Sequence, residues 1–209
     1  RMEDVQAIAD LVRAVRAEGR RAHGRRAQVN VSVNTFVPKP HTPFQWVGLE
    51  PAPAIRERQA LLRRELRGRG LKLGYSDPEV TLLEAALPRG DRRLGAMVQR
   101  AWELGARFDA WGDQHHAHAW TAAFAEVGLD PGFYAHRERP PDETFPWEVI
   151  STGVRRRFLL EEYRRGQRGE PLADCRAHCH GCGVLASWGG RWSEDWCCPE
   201  PKQHITHTA

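Results

Sequence analysis

Apolar residues recur three or four positions apart over residues 4–18, at Val5, Ile8, Ala9, Leu11, Val12 and Val15. The chain is therefore expected to open on an amphipathic helix, with Gly19 placed to end it. A basic connector over 20–26 leads into Val29, Val31 and Val33, whose two-residue alternation within 28–34 predicts a strand. Pro38, Pro40 and Pro43 then forbid regular helix or interior strand, so an extended loop follows it. The helical period returns over 51–70 at Ile55, Leu61, Leu62 and Leu66, and residues 71–75 read as a second short strand. Ser76 or Asp77 has the chemistry of a cap for a helix over 79–87. Further helices are predicted over 92–104, 113–127 and 152–165, so the pattern runs from α/β to mainly α.

Composition narrows the class. With 209 residues, 41% of them hydrophobic, the chain can bury a core. No apolar run approaches the ~18 residues a bilayer span needs, and the first residues are not a signal peptide. The expectation is a cytoplasmic protein with no membrane partner. The net charge of +4 is small, but arginines cluster at Arg20, Arg21, Arg25 and Arg26, at Arg63, Arg64, Arg67 and Arg69, and over 155–157. Such clusters can hold phosphate. Without aromatics interleaved as in RNA-binding motifs they read as solvated helix faces, which leaves nucleic acid an open partner.

The loop after the first strand carries the first candidate chemistry. In an α/β barrel, catalytic groups sit at the C-terminal ends of strands, which singles out Asn34, Lys39, His41, Thr42 and Gln45. Equally, that loop can pack Phe36, Phe44 and Trp46 and do nothing else. His115 and His118 occupy neighbouring positions of a predicted helix, a spacing able to hold a metal but more simply a polar face. Arg89, Asp91, Arg92, Asp109 and Trp111 are ambiguous in the same way: Asp91 can cap a helix, and an Asp109–arginine pair can tie two helices together.

All five cysteines lie between Cys175 and Cys198. Clustering of this kind in a reducing compartment favours a metal site over a disulfide framework. Cys175, Cys179 and Cys182, with Gly181 and Gly183 permitting tight turns, can converge on zinc or an iron–sulfur cluster as a knuckle. Cys197, Cys198, His178 or His180 is available as the fourth ligand, and Cys197 is the first choice. The competing reading is unligated thiols in a poorly ordered tail.

An ordered set of blocks gives the chain a more specific character. The stretch from Asn34 through Val37-Pro38-Lys39-Pro40-His41-Thr42-Pro43-Phe44-Gln45-Trp46 resembles the loop near the end of the barrel in one group of cobalamin-binding-domain radical SAM proteins of uncharacterised substrate. Glu84-Ala85, Pro88-Arg89-Gly90-Asp91-Arg92-Arg93, Phe108-Asp109-Ala110-Trp111, Phe145-Pro146-Trp147-Glu148, Gly153-Val154 and Phe158-Leu159-Leu160-Glu161 resemble later blocks of that group in the same order. Asp174-Cys175-Arg176 with Cys179, Cys182, Gly183 and Val184 closes the series, although Leu185 stands where the group would place a further cysteine.

The resemblance implies an N-terminal cobalamin-binding-like domain, a partial TIM-type barrel holding a [4Fe–4S] cluster and S-adenosylmethionine, and a helical C-terminal region ending in cysteines. On that plan residues 1–50 are the last helix–strand part of the barrel, 51–170 the helical region, 171–198 the cysteine knuckle and 199–209 a disordered tail. The chain would be a C-terminal fragment or truncated product whose partner is the missing N-terminal part of the same protein. The implied reaction is reductive cleavage of S-adenosylmethionine, with methyl transfer if cobalamin is bound, on an unknown small-molecule or RNA substrate. The Cys-x3-Cys-x2-Cys spacing at Cys175, Cys179 and Cys182 equals that of the catalytic cluster but follows a predicted helix near the C-terminus, which argues for a separate site and an inactive fragment. The alternative is a non-catalytic metal knuckle that binds RNA or a protein partner.

Overall fold

The structure, a computed structural model, describes residues 1–109, 111, 114–175, 177–184 and 187. Cys197, Cys198 and the expected disordered tail over 199–209 lie outside the described residues. The chain divides into two compact units, one of residues 1–37 and 48–137, the other of residues 38–47 and 138–209.

The first unit begins as an α/β layer. Helix α1 (Met2–His23) places Glu3 and Asp4 in its first turn and Arg20, Arg21 and His23 in its last, which complements the helix dipole at both ends. Gly19 does not end it. The helix continues to His23 and stops at Gly24, whose φ of 59° is the conformation that favours glycine. Strands β1 (Val29–Val33) and β2 (Leu71–Tyr75) pair in parallel, Val29 opposite Leu71 and Val33 opposite Tyr75. Parallel strands need a crossover, and α2 (Ala52–Glu65) lies within it. Val5, Ala9 and Val12 of α1 and Leu61 and Leu62 of α2 form one core with Val29, Val31, Val33, Leu71 and Leu73. Both helices thus cover one face of the pair. Leu62 is 2% exposed, so truncating it to Ala would cost about 2–5 kcal/mol.

The rest of the first unit is helical. Asp77 caps α3 (Pro78–Ala86) by accepting from the Glu79 N–H at 2.7 Å, with Pro78 at the first helical position, where its missing N–H costs nothing. Helices α4 (Leu94–Glu103), α5 (Ala117–Val127) and α6 (Pro131–Ala135) follow. Asp130 caps α6 through the Gly132 N–H, and Gly128 at φ 70° closes α5. Met97, Ala101, Ala123, Phe124 and Tyr134 share a second core with Ala85 and Ala86.

The second unit is built on aromatic packing. Trp46, Phe145, Trp147 and Leu159 form its core, with Phe158 and Tyr163 against them; Leu159 and Tyr163 lie on α7 (Arg156–Arg168). The mixed, mainly helical class agrees with the sequence reading. Among the described residues the sheet has two strands, and no helix is long and apolar enough to cross a membrane.

Candidate functional site

The Pro-rich loop is organised from inside by Gln45. This side chain is 4% exposed. Its Oε1 accepts two hydrogen bonds, from the His41 backbone N–H at 3.1 Å and from the Trp147 indole Nε1–H at 2.9 Å. His41 sits at φ 57°, an uncommon backbone state for a residue with a Cβ, and the Gln45 acceptor is what its N–H meets there. Thr42 Oγ1 donates back to the Lys39 carbonyl at 2.7 Å, and the Gln45 N–H donates to the Thr42 carbonyl at 3.1 Å. Lys39, His41, Thr42 and Gln45 are therefore gathered in one turn, where Thr42 and Gln45 hold the loop itself. The His41 imidazole is half-buried and makes no hydrogen bond among the described residues. Asn34 belongs to the first unit, where its Oδ1 accepts from Ser76 Oγ at 3.1 Å.

Two arginines complete this region: the sequence reading passed over Arg139 and took Arg156 for part of a solvated cluster over 155–157. Arg139, 3% exposed in its side chain, pairs with Glu143 at 2.8 Å, and its guanidinium lies 5.1 Å from the Trp147 ring and 5.8 Å from Phe145. Arg156 lies 4.7 Å from Phe145 and 6.0 Å from Trp46, pairs with Glu148, and donates to the Pro141 and Glu143 carbonyls at 2.8 and 2.6 Å. Guanidinium groups over aromatic faces are worth about 0.5–2 kcal/mol each, the more so when desolvated. The available signal for Arg139 was the alternation of arginine, proline and aromatic residues over 137–147.

The cysteine segment docks within the second unit by its backbone. The Arg155 N–H donates to the Cys182 carbonyl at 2.7 Å, and Ser187 Oγ donates to the Gly153 carbonyl at 3.2 Å. Gly183, at φ 108°, lies so close that a Cβ would meet the Gly153 carbonyl oxygen at 2.7 Å. Cys175 is exposed, Cys179 and Cys182 are half-buried, and all three thiols are free. His180 Nε2 is held 3.0 Å from the Ala173 carbonyl, and its ring lies 5.0 Å from that of His178. Among the described residues no three His, Cys, Asp or Glu side chains are grouped so as to hold a metal ion.

In the first unit, His115 is not on a helix with His118: α5 starts at Ala117, and His116 is its N-cap. Asp109 explains the difference. Its Oδ1 accepts from the His116 N–H at 2.9 Å and lies 3.6 Å from His115 Nδ1, so it anchors the turn before α5 rather than an arginine. Asp91 likewise is not the N-cap of α4. It accepts from the Arg93 N–H at 2.9 Å and pairs with the Arg93 guanidinium at 2.7 Å, and that hydrogen bond holds its carboxyl below the usual range. Tyr134, 2% exposed, has its phenol pushed up, first by burial and then by the nearby Asp91 charge. Arg89 is fully buried and donates to the Arg137 carbonyl at 3.3 Å.

No protein-family model, curated protein or solved structure matches this chain.

Proposed function

We propose that this chain is the C-terminal part of a cytoplasmic radical SAM enzyme, contributing the last helix–strand units of its barrel and a helical region beyond them. The observation that carries the reading is the parallel β1–β2 pair, covered by α1 and α2 on one face, with the Pro-rich loop leaving the C-terminal end of β1. Parallel strands linked by helices are the repeating unit of α/β barrels, and loops at that end carry their chemistry. A parallel pair seldom stands alone, because its edges and second face call for further strands. The ordered sequence blocks support the same assignment.

The catalytic [4Fe–4S] cluster does not fit the described residues of this chain. They offer no group of three ligands, and Cys175, Cys179 and Cys182 lie in a segment docked beside Gly153 and Arg155 rather than on a barrel loop. The cluster, S-adenosylmethionine and any cobalamin are therefore assigned to the remainder of the protein, and no step is derived through them. Lys39 and His41 are the loop side chains proposed to face substrate or cofactor, with Gln45 and Thr42 fixing the turn that presents them. Cys175, Cys179 and Cys182, with Cys197, are proposed as a separate zinc or iron–sulfur knuckle, and metal binding would have to draw together ligands of which no three are grouped among the described residues.

The purified chain, supplied with iron, sulfide, a strong reductant and S-adenosylmethionine, should form no 5′-deoxyadenosine, whereas a longer form carrying an upstream Cys-x3-Cys-x2-Cys motif should form it. Product made by the chain alone and lost in Cys179→Ala would overturn this division of labour. A gene with no upstream cluster motif would favour the non-catalytic knuckle that binds RNA or protein.

A further inference from the structure

Two basic stretches of the first unit, far apart in sequence, meet in the fold. Residues 24–28 lead from α1 into β1 and residues 66–70 lead from α2 into β2, so both turns lie at the N-terminal end of the parallel pair. Their backbones touch. The Val29 N–H donates to the Gly70 carbonyl at 2.8 Å, and Gly70, at φ 82°, passes so close that a Cβ would meet the Ala27 carbonyl oxygen at 2.8 Å. Arg16 of α1 reaches the second turn by donating from Nη2 to the Arg69 carbonyl at 2.6 Å.

This end is charged out of proportion to the chain. Residues 16–28 and 63–70 hold nine arginines against two carboxylates, Glu18 and Glu65, an excess larger than the +4 of the whole chain, so the remaining residues are net acidic. Both carboxylates are engaged already, Glu18 with Arg21 at 2.5 Å and Glu65 with Arg64 at 3.0 Å and with Arg13. Arg20, Arg25, Arg26, Arg67 and Arg69 are exposed and meet no carboxylate among the described residues. Like charges crowded on touching turns repel one another, and a polyanion removes that repulsion while releasing its own counterions. No large apolar side chain is exposed in either stretch, so a membrane surface would lack the anchor that interfacial binding adds to charge. Neither stretch contains Phe, Tyr or Trp on which unpaired bases could stack. Nor does either turn present a helix or ribbon to enter the wide major groove of B-form DNA. In A-form RNA the major groove is narrow, which brings phosphates of both strands before one compact surface. Every cation in the two stretches is arginine, whose forked donors match phosphate oxygens.

We propose that the N-terminal end of the β1–β2 layer is a docking surface for double-helical RNA, with Arg20, Arg25, Arg26, Arg67 and Arg69 set against the phosphates that flank its narrow groove. Arg16 is a positioning residue that fixes the turn carrying Arg69. The surface reads backbone and no base. It lies within the first unit and is independent of the radical SAM reading and of the cysteine segment.

The test titrates the whole chain into a labelled RNA duplex of about 20 base pairs, a little longer than the ~16 that a compact duplex-RNA domain spans. A DNA duplex of the same length and sequence and vesicles of pure phosphatidylserine are the comparisons. The RNA should bind saturably and more tightly than the DNA, and doubling the salt should raise its dissociation constant about tenfold, as expected when about four phosphates are neutralised. Arg25→Gln with Arg26→Gln, and separately Arg67→Gln with Arg69→Gln, should each weaken RNA binding at least about tenfold, which equals about 1.4 kcal/mol, with an unchanged melting temperature. Arg92→Gln with Arg107→Gln removes as much charge from exposed positions outside the two turns and should change binding less than about twofold, since contact rather than net charge governs it. Cys179→Ala should leave binding unchanged. No saturable RNA binding, equal or tighter binding to DNA, binding to vesicles alone, unaltered binding in either turn variant, or a comparable loss in the Arg92/Arg107 or Cys179 variant would each overturn the proposal. RNA, DNA and vesicles are compared on the unsubstituted chain, so that comparison decides the matter whatever the variants do.

Discussion

Replacing Gln45 with Leu removes one oxygen that serves two donors. The Trp147 indole N–H is part of a residue 7% exposed, so stranding it costs about 1–3 kcal/mol. The His41 N–H is half-buried and regains water in part, which puts its loss at about 0.5–1.5 kcal/mol. The apolar gain from leucine offsets a fraction of this, leaving an expected destabilisation of about 1–4 kcal/mol, or a melting temperature roughly 2–16 °C lower. Urea unfolding followed by tryptophan fluorescence gives the value. A double-mutant cycle identifies its source: once the Gln45 oxygen is gone, Trp147→Phe no longer breaks that bond, so the single costs should exceed the double by about 1 kcal/mol. A Gln45→Leu effect under about 0.5 kcal/mol, or strict additivity with Trp147→Phe, would refute the loop-holding role. It would return Gln45 to the residues that face a ligand.

Gly48→Ala should lower stability by about 2–4 kcal/mol in urea unfolding, because the new Cβ would lie 2.1 Å from the His136 carbonyl oxygen and force apart the Leu49–Ala135 and His136–Leu49 hydrogen bonds; Gly95→Ala, with nothing within 4 Å, should be neutral or stabilising by up to about 1 kcal/mol. Melting temperature against pH should show two linked limbs. Asp91 titrates below its ordinary 3.8 in the folded chain, so its contribution is complete above that value and is lost as pH falls through the lower folded value; Asp91→Asn should flatten this acid limb. Tyr134 titrates above its ordinary 10.0 when folded, so above that pH the unfolded chain ionises first and stability falls, a slope that Tyr134→Phe should remove.

Most elements were legible because their periods were clean. Val29, Val31 and Val33 face one core with Leu71 and Leu73, and alternation alone is enough to find such strands. Gly19 misled because a glycine costs only about 1 kcal/mol inside a helix, and the true stop, Gly24, is distinguished by its φ of 59°, which no sequence displays. Helix α6 was missed since five residues are too few for a period, although Asp130-Pro131 was a readable start signal. At the loop, the sequence drew Gln45 and His41 into one set but not their division of labour. That division depends on Trp147, 102 positions away. The roles of Arg139 and Arg156 were hidden for the same reason: their partners are aromatic faces assembled only by folding.

The face of β1–β2 turned away from α1 and α2 constrains any barrel built on these strands. Alternation puts Asn30 and Ser32 of β1 and Lys72 and Gly74 of β2 there, all exposed. A barrel interior filled in layers would need Val, Ile or Leu at those positions. Covering Lys72 with apolar side chains would strip its ammonium of water and leave it unpaired, which proteins avoid. Further strands joined to this pair must therefore enclose a polar, hydrated lumen or supply a carboxylate to Lys72. Such a lumen suits a barrel that holds a polar cofactor and substrate inside its wall. A longer form of the protein in which Asn30, Ser32 and Lys72 face a dry apolar core would remove the main structural support for the radical SAM reading.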